Sequence, residues 1–180
     1  MVWQITDYEL LERYANGERN FAGIDLISSG YRPSKHGNSI DLDGVVLRDI
    51  NLRGAYLNEV MMIGADFTRA DLGGIFMRGC CLSEGIVRDA NLRAANVRHG
   101  SFFNTDLRGS DLNQINATGA SFCGAYLYTL ENAVLANTNF QGAHTKNSLI
   151  CRGMNLIWHT TMPDGSVIEG PQWGTGRDAR

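Results

Sequence analysis

A period of five residues runs through the middle of the chain and limits the folds open to it. Every fifth residue from Leu42 to Leu127 is apolar. At a hydrophobic content of 43%, chance would give such a run in roughly one sequence in a million, even with five frames allowed. The period matches neither the 3.6 residues of an α-helix nor the 2 of a β-strand, and leucine-rich repeats use a longer unit. The chain must therefore turn a corner once in every five residues.

The residues around each apolar centre also follow a rule. Two places before the centre stands a small or β-branched residue such as Ala55, Ala65 or Cys80, and one place before it is often Asp or Asn. Short polar side chains of this kind hydrogen-bond to the backbone in turns, so we expect them to hold the corners rather than to act as acids or bases. Glycine closes many units, for example at Gly44 and Gly54, and it suits a corner because it tolerates a positive φ.

The repeated unit resembles the A(D/N)LXX signature of pentapeptide repeat proteins. It is seen in Ala65-Asp66-Phe67-Thr68-Arg69, Ala70-Asp71-Leu72-Gly73-Gly74 and Ala90-Asn91-Leu92-Arg93-Ala94. The opening Glu9-Leu10-Leu11-Glu12-Arg13-Tyr14 and the closing Thr160-Thr161-Met162-Pro163-Asp164-Gly165 are similar to members abundant in cyanobacteria. The resemblance implies an all-β fold, a right-handed quadrilateral parallel β-helix with four pentads per coil. A fold of this kind does not by itself fix a function.

The 180 residues are expected to form a single domain, and its ends need caps because a solenoid cannot bury its own end coils. We assign 1–20 to an N-terminal cap, 21–150 to the β-helix and 151–180 to a C-terminal cap with a loose tail. Thr6 and Glu9 form a capping-box pattern, which predicts a short helix over about 6–16.

Two breaks in the period predict irregular segments. The spacing between Leu26 and Leu42 predicts an outward loop over 28–38, and the frame is broken between Leu127 and Leu130, where the interval is three residues instead of five. Near the end, Pro163-Asp164-Gly165 predicts a hairpin turn between two short strands. Trp158 is the expected aromatic plug of the last coil.

Composition argues against several functional classes. The net charge of −3 gives no strong field for nucleic acid, and no apolar run reaches the length of a membrane span. The four cysteines show no metal-site spacing, and neither do the four histidines. We therefore expect a cytoplasmic protein with reduced thiols that is not an enzyme, with no catalytic residues, metal or cofactor. Its oligomeric state is expected to be a monomer or a weak homodimer.

Two surface features are candidates for a functional role. The first, termed the arginine ladder, consists of Arg48, Arg88 and Arg108 on one face, with Asp49, Asp89 and Asp106 interleaved. It is either a solubilising set of screened ion pairs or a platform for an acidic partner. The second, termed the apolar strip, lies at outward positions of another face and comprises Met61, Ile63, Cys81, Phe103 and Cys123. It is either an interface or a surface that a loop or the tail covers. Tyr56 and Phe76 are expected to stack outward one coil apart and are counted with the strip residues as the candidate interaction surface.

These features leave two functional hypotheses. The first is a non-catalytic protein-interaction module, a rigid β-helical rod that binds an unidentified protein partner, for instance in regulation. The alternative comes from the family resemblance: a topoisomerase-binding protein that mimics DNA by being acidic along the rod. The arginines and the small net charge weigh against this alternative.

Overall fold

A solenoid built from five-residue units forms most of the molecule. A computed structural model describes residues 3–30, 39–151 and 153–174. In the regular part of the solenoid, each coil of four units makes four parallel bridges to the next, beginning with Asp41 to Met61, Val46 to Asp66, Asn51 to Asp71 and Tyr56 to Phe76. Four bridge positions per coil give the rod four faces.

A left-handed residue makes each corner. Every fifth residue from Gly44 to Gly124 has a positive φ, including non-glycine residues such as Asp49 and Ala94. Within the corner, the Asp or Asn before the centre accepts a hydrogen bond from the backbone two residues on, as Asp71 Oδ1 does from Gly73 N at 3.0 Å. The predicted corner role of these side chains is confirmed. These hydrogen bonds hold the turn at each corner, as short polar side chains commonly do.

The centre residues stack in columns and form the core. Leu52, Leu72, Leu92 and Leu112 are at most 1% exposed. In another column, the rings of Phe102, Phe122 and Phe140 stack with centroid separations of 4.8 and 5.3 Å. These separations match the spacing of adjacent strands, about 4.8 Å, so each centre side chain packs on its equivalents in the coils above and below.

Some of the small inward positions carry buried hydroxyl groups. Thr105 Oγ1 donates to the carbonyl of Leu82 at 2.9 Å, and Thr138 Oγ1 donates to Ala117 O at 2.8 Å. Both side chains are buried. Each hydroxyl reaches a carbonyl of the preceding coil, and this contact satisfies a polar group that would otherwise be costly to bury.

The N-terminal end consists of a strand and a helix. Strand β1 (Trp3–Thr6) pairs in parallel with β2 (Ile24–Ile27), and helix α1 (Asp7–Ala15) lies between them in sequence. The helix falls inside the predicted range, and its capping box is present: Thr6 Oγ1 accepts from Glu9 N, while Glu9 accepts from Thr6 N. Leu10 is fully buried against the core. Strand β1 is an addition that the sequence analysis did not predict.

The two predicted irregularities fall in different parts of the chain. Most of the predicted loop, residues 31–38, lies outside the described residues. The predicted break in the period appears in the bridges between coils. Asn116 pairs with Val134 and Ser121 pairs with Asn139, so these partners are 18 residues apart instead of the regular 20. The next coil is longer than a regular one by two residues, because Asn139 pairs with Thr161. This longer coil contains the short helix α2 (Asn147–Ile150).

The C-terminal end is a small set of strands. Strand β3 (Val134–Ala136) pairs in parallel with β4 (Leu156–Trp158), and β5 (Thr160–Thr161) forms the predicted antiparallel hairpin with β6 (Val167–Ile168). Strand β7 (Gln172–Trp173) adds antiparallel to β4, so part of the predicted loose tail is ordered as a strand. Residues 175–180 lie outside the described residues.

The prediction that Trp158 plugs the last coil is wrong. Its side chain is 46% exposed, whereas the preceding residue, Ile157, is buried. The reason is the alternation of the strand, since Ile157 takes the centre position and turns its neighbour outward. The buried apolar side chains of the last coil are those of Ile150, Ile157 and Met162.

Candidate interaction surfaces

The apolar strip lies on the face that contains the bridge residues Met61, Cys81, Ser101 and Ser121. Phe103 is its most prominent member, with 46% of its surface exposed. The other strip residues, Met61, Ile63, Cys81 and Cys123, are half-buried. The strip is therefore less exposed than the sequence analysis expects, because the bridge residues of neighbouring coils cover one another.

Hydroxyl groups interrupt the strip. Ser83 takes the outward position between Ile63 and Phe103, and its hydroxyl lies 2.9 Å from that of Ser101. Cys81 Sγ donates to Ser83 Oγ at 3.4 Å, and Ser121 Oγ donates to Cys123 Sγ at 3.3 Å. The contact between Ser83 and Ser101 depends on the pairing of coils, which the linear sequence does not display. The surface is thus an exposed aromatic ring flanked by serine hydroxyls and thiols, and of these groups the aromatic ring is the one that is enriched at protein interfaces.

The predicted aromatic pair stacks on a different face. The rings of Tyr56 and Phe76 are 4.6 Å apart at their centroids and nearly parallel, with 3° between their planes. About a third of each side chain is exposed. The structure therefore places this pair away from the apolar strip, and the two features form separate surfaces.

The arginine ladder is held by ion pairs with a regular offset. Arg48 pairs with Asp66 at 2.7 Å, and Arg88 pairs with Asp106 at 2.6 Å, each partner lying two residues short of one full coil further along the chain. Arg108 also pairs with Asp106 at 2.6 Å. The sequence pattern predicts Asp106 as a partner of the ladder arginines but not Asp66, and it predicts that Asp49 interleaves with these arginines. Asp49 instead pairs with Arg69 through two oxygens at 2.7 Å.

This offset follows from the coil geometry. Each ladder arginine directly follows a centre residue, as Arg48 follows Leu47. Its partner directly precedes the stacked centre of the next coil, as Asp66 precedes Phe67. The two charged residues are therefore 18 residues apart, two fewer than the 20 residues of a regular coil. The same offset brings Arg53 within 3.9 Å of Asp71 and Arg93 within 4.0 Å of Asp111. The ladder face holds four arginines and four aspartates, so it carries no net charge.

The paired carboxylate of Asp106 predicts a pH-dependent stability. Hydrogen bonds from Arg108 and then from Arg88 hold the pKa of Asp106 well below its usual range, although burial raises it. A carboxylate with a lowered pKa stabilises the fold above its ordinary pKa of about 3.9, and this contribution is lost as the pH falls toward the lowered value. We expect Asp106→Asn to melt below the wild-type protein at pH 7, with a gap that shrinks below about pH 4. Thermal melts between pH 7 and pH 2.5 test this; a constant gap would contradict it.

In the described part of the chain, the thiols and histidines are not grouped as metal ligands. All four cysteines are free. Cys80 takes the inward small position that was predicted, and burial raises the pKa of its thiol to about 12, which keeps it protonated and inert. Among residues 3–30, 39–151 and 153–174, no group of three or more His, Cys, Asp or Glu is placed to hold a metal ion. In the same ranges no helix is long and apolar enough to cross a membrane.

The fold and its surface define a class of protein: a solenoid of five-residue units whose inward side chains stack in columns and whose outward side chains vary. The model of the family described as pentapeptide repeats matches eight copies in this chain, over residues 40–79, 88–122 and 101–128. The middle of the chain thus consists of pentapeptide repeats.

Solved structures give similar relatives. A pentapeptide repeat protein from the Arabidopsis thaliana thylakoid lumen is 31% identical, with 61% of this chain and 66% of that chain covered and a TM-score of 0.44. The chain thus spans just under two thirds of that relative. Rfr23 from the cyanobacterium Cyanothece 51142 is 19% identical, with 78% and 96% covered and a TM-score of 0.42. QnrB1, a plasmid-mediated fluoroquinolone resistance protein, is 17% identical, with 81% and 68% covered and a TM-score of 0.49. No curated protein sequence matches the chain significantly.

Proposed function

We propose that the chain is a non-catalytic protein-interaction module, a rigid right-handed quadrilateral β-helix that presents the apolar strip to a protein partner. The observation that carries this proposal is the 46% exposure of Phe103 on a face of the rod that also holds half-buried apolar side chains. Aromatic side chains are enriched at protein interfaces, and a few anchor residues supply most of the binding energy there.

Rigidity of the backbone supports the proposal. The residue before Phe103 donates its N–H to Ser121 O at 2.7 Å, and Phe103 O accepts from Glu84 N at 2.8 Å. Together these hydrogen bonds tie the backbone around Phe103 to the coils above and below. A partner therefore meets a preformed surface and loses little free energy in ordering it.

The charge distribution argues against the DNA-mimic alternative. A surface that imitates duplex DNA needs unpaired carboxylates along the rod. Here Asp66 and Asp106 are paired with arginines, and the net charge is only −3. The same pairing argues against nucleic acid as a partner, since the ladder arginines already bind carboxylates.

The cysteines bear on the cellular compartment of the protein. Four free thiols support a reducing compartment, and we propose the cytoplasm. We also propose the division into an N-terminal cap, a β-helix and a C-terminal cap. Because the apolar strip is narrow and interrupted by serines, we propose that the protein is a monomer or at most a weak homodimer.

A pair of double variants tests the role of the apolar strip. Ile63 and Phe103 occupy equivalent outward positions two coils apart, about 10 Å by strand spacing. Ile63→Glu/Phe103→Glu is expected to keep the fold and to weaken binding of the partner captured from native cell extract by at least about a hundredfold, since interface anchors contribute about 2 kcal/mol or more each. Isothermal titration of the purified partner measures the change.

The matched control lies on the ladder face. Val46 and Ile86 are also exposed apolar residues two coils apart, so Val46→Glu/Ile86→Glu introduces the same charge at the same spacing. We expect this control to bind as the wild-type protein does. Arg88→Gln, which leaves Asp106 with Arg108, should likewise leave the affinity nearly unchanged. Equal affinity of the strip variant and the wild-type protein would exclude this face as the binding site.

A further inference from the structure

A notch opens in the side of the rod where the coil length changes. It is a cavity of about 250 Å³ lined by Tyr128, Thr145, Lys146, Ser148 and Leu149. Tyr128 comes from the coil that is two residues shorter than the regular ones, and the other four lining residues come from the following coil, which is two residues longer. The shorter coil leaves a gap beside Tyr128. The longer coil supplies the segment around α2, which overhangs this gap.

The overhanging segment is fixed from two sides. On the outside, Asn147 Nδ2 donates to Asp164 Oδ2 at 2.7 Å, which ties α2 to the hairpin turn. On the inside, Asn155 Nδ2 donates to Ile150 O at 3.0 Å, and both Asn155 and Ile150 are fully buried. The notch is therefore preformed, as small-molecule sites usually are.

The lining combines one cation with apolar surface. Lys146 is exposed and forms no ion pair with any residue in the described ranges, and its side chain makes no capping hydrogen bond to α2. Tyr128 is 57% exposed and supplies an aromatic ring, while Leu149 supplies an aliphatic surface. An uncompensated ammonium group beside an aromatic ring suits a ligand with a carboxylate on a flat apolar body.

An unsatisfied hydroxyl marks the same wall. Thr145 Oγ1 is shielded from water and has no hydrogen-bond partner within the part of the chain that the structure describes. Buried polar groups are nearly always paired, so an orphan group points to a missing partner. Thr145 lines the notch, so a ligand seated there lies beside this residue.

We propose that this notch binds a small aromatic carboxylate, with its ring between Tyr128 and Leu149 and its carboxylate on Lys146. A volume of 250 Å³ equals the share of about eight water molecules in the liquid, which fits a benzoate-sized body. The notch contains no residue of the apolar strip. Binding of this ligand can therefore be tested separately from the proposed protein interaction.

Benzoate is the probe for this proposal, and benzamide is its uncharged analogue of the same shape. In a titration followed by ¹H–¹⁵N correlation spectra, benzoate is expected to shift the amide signals of Tyr128 and of residues 145–149 in a saturable way. Lys146→Met should weaken benzoate binding about tenfold or more, because it removes the charge and keeps the aliphatic stem. Benzamide should bind the wild-type protein about as weakly as benzoate binds this variant.

A matched variant separates a site from general charge attraction. Arg98 is an exposed cation on another face, and Arg98→Met should leave benzoate binding unchanged. Three results would each overturn the proposal: no saturable shift at about 10 mM benzoate, equal affinities of benzoate and benzamide, or equal losses in Lys146→Met and Arg98→Met.

Discussion

Replacing Leu92 with aspartate is expected to unfold the protein. Leu92 is 1% exposed and stands in the middle of the column formed by Leu52, Leu72 and Leu112. A carboxylate at this position would lie between Leu72 and Leu112, and the side chains of this column could not form a hydrogen bond or an ion pair with it. Burying it unpaired costs several kcal/mol, which is comparable to the total free energy of unfolding of a domain, about 5–15 kcal/mol. Circular dichroism and thermal melts of the purified variant measure the loss.

The neighbouring position supplies the control for this prediction. Arg93 is half-exposed, and its guanidinium lies 4.0 Å from the carboxylate of Asp111. Arg93→Asp introduces the same residue one place along the chain, and it should cost less than about 1 kcal/mol, since exposed ion pairs contribute little. Equal melting temperatures for the Leu92 and Arg93 variants would show that the assignment of inward and outward positions is wrong.

Deleting residues 1–17 is expected to make the protein aggregate or join end to end. The deletion removes β1 and α1 and so uncovers Phe21, Ile24 and Leu26, all of which are buried in the intact chain. It also leaves β2 without its parallel partner strand. Exposed strand edges pair readily with other chains, and here the edge would be flanked by apolar side chains. Size-exclusion chromatography with light scattering measures the mass of the truncated protein.

A milder change separates the effect of losing the whole N-terminal cap from the effect of destabilising helix α1 alone. Thr6→Ala/Glu9→Ala removes the capping box and should lower the free energy of unfolding by about 1–2 kcal/mol without causing association. A truncated protein that stays monomeric and melts with the wild-type protein would show that these elements do not cap the solenoid.

The repeated part of the fold could be predicted from the sequence because one physical rule acts at every unit. A large apolar residue at the centre, a small residue two places before it and a polar residue between them fix the direction of each side chain. The buried column at Leu52, Leu72, Leu92 and Leu112 follows from this rule. The same repetition makes the corners predictable, since Asp and Asn side chains act locally.

The parts that escaped prediction depend on contacts between coils or on the ends of the rod. The pairing of Arg48 with Asp66 requires an offset two residues short of a full coil, which the linear sequence does not display. Strand β1 and the outward turn of Trp158 occur at the ends, where the period gives no information. The notch beside Lys146 depends on two successive changes in coil length, and the sequence reveals only the first of them.

We propose that apolar contacts on the face of Phe103, rather than surface charge, hold the partner. The salt dependence of the affinity between the wild-type protein and its captured partner tests this claim most directly. Apolar contacts are little affected by salt, whereas exposed charges are screened within about 10 Å at 0.1 M and within about 3 Å at 1 M. We predict that the dissociation constant changes by less than about threefold between 0.05 and 0.5 M sodium chloride. A loss of affinity of a hundredfold or more over this range would contradict the account and assign binding to the charged faces of the rod.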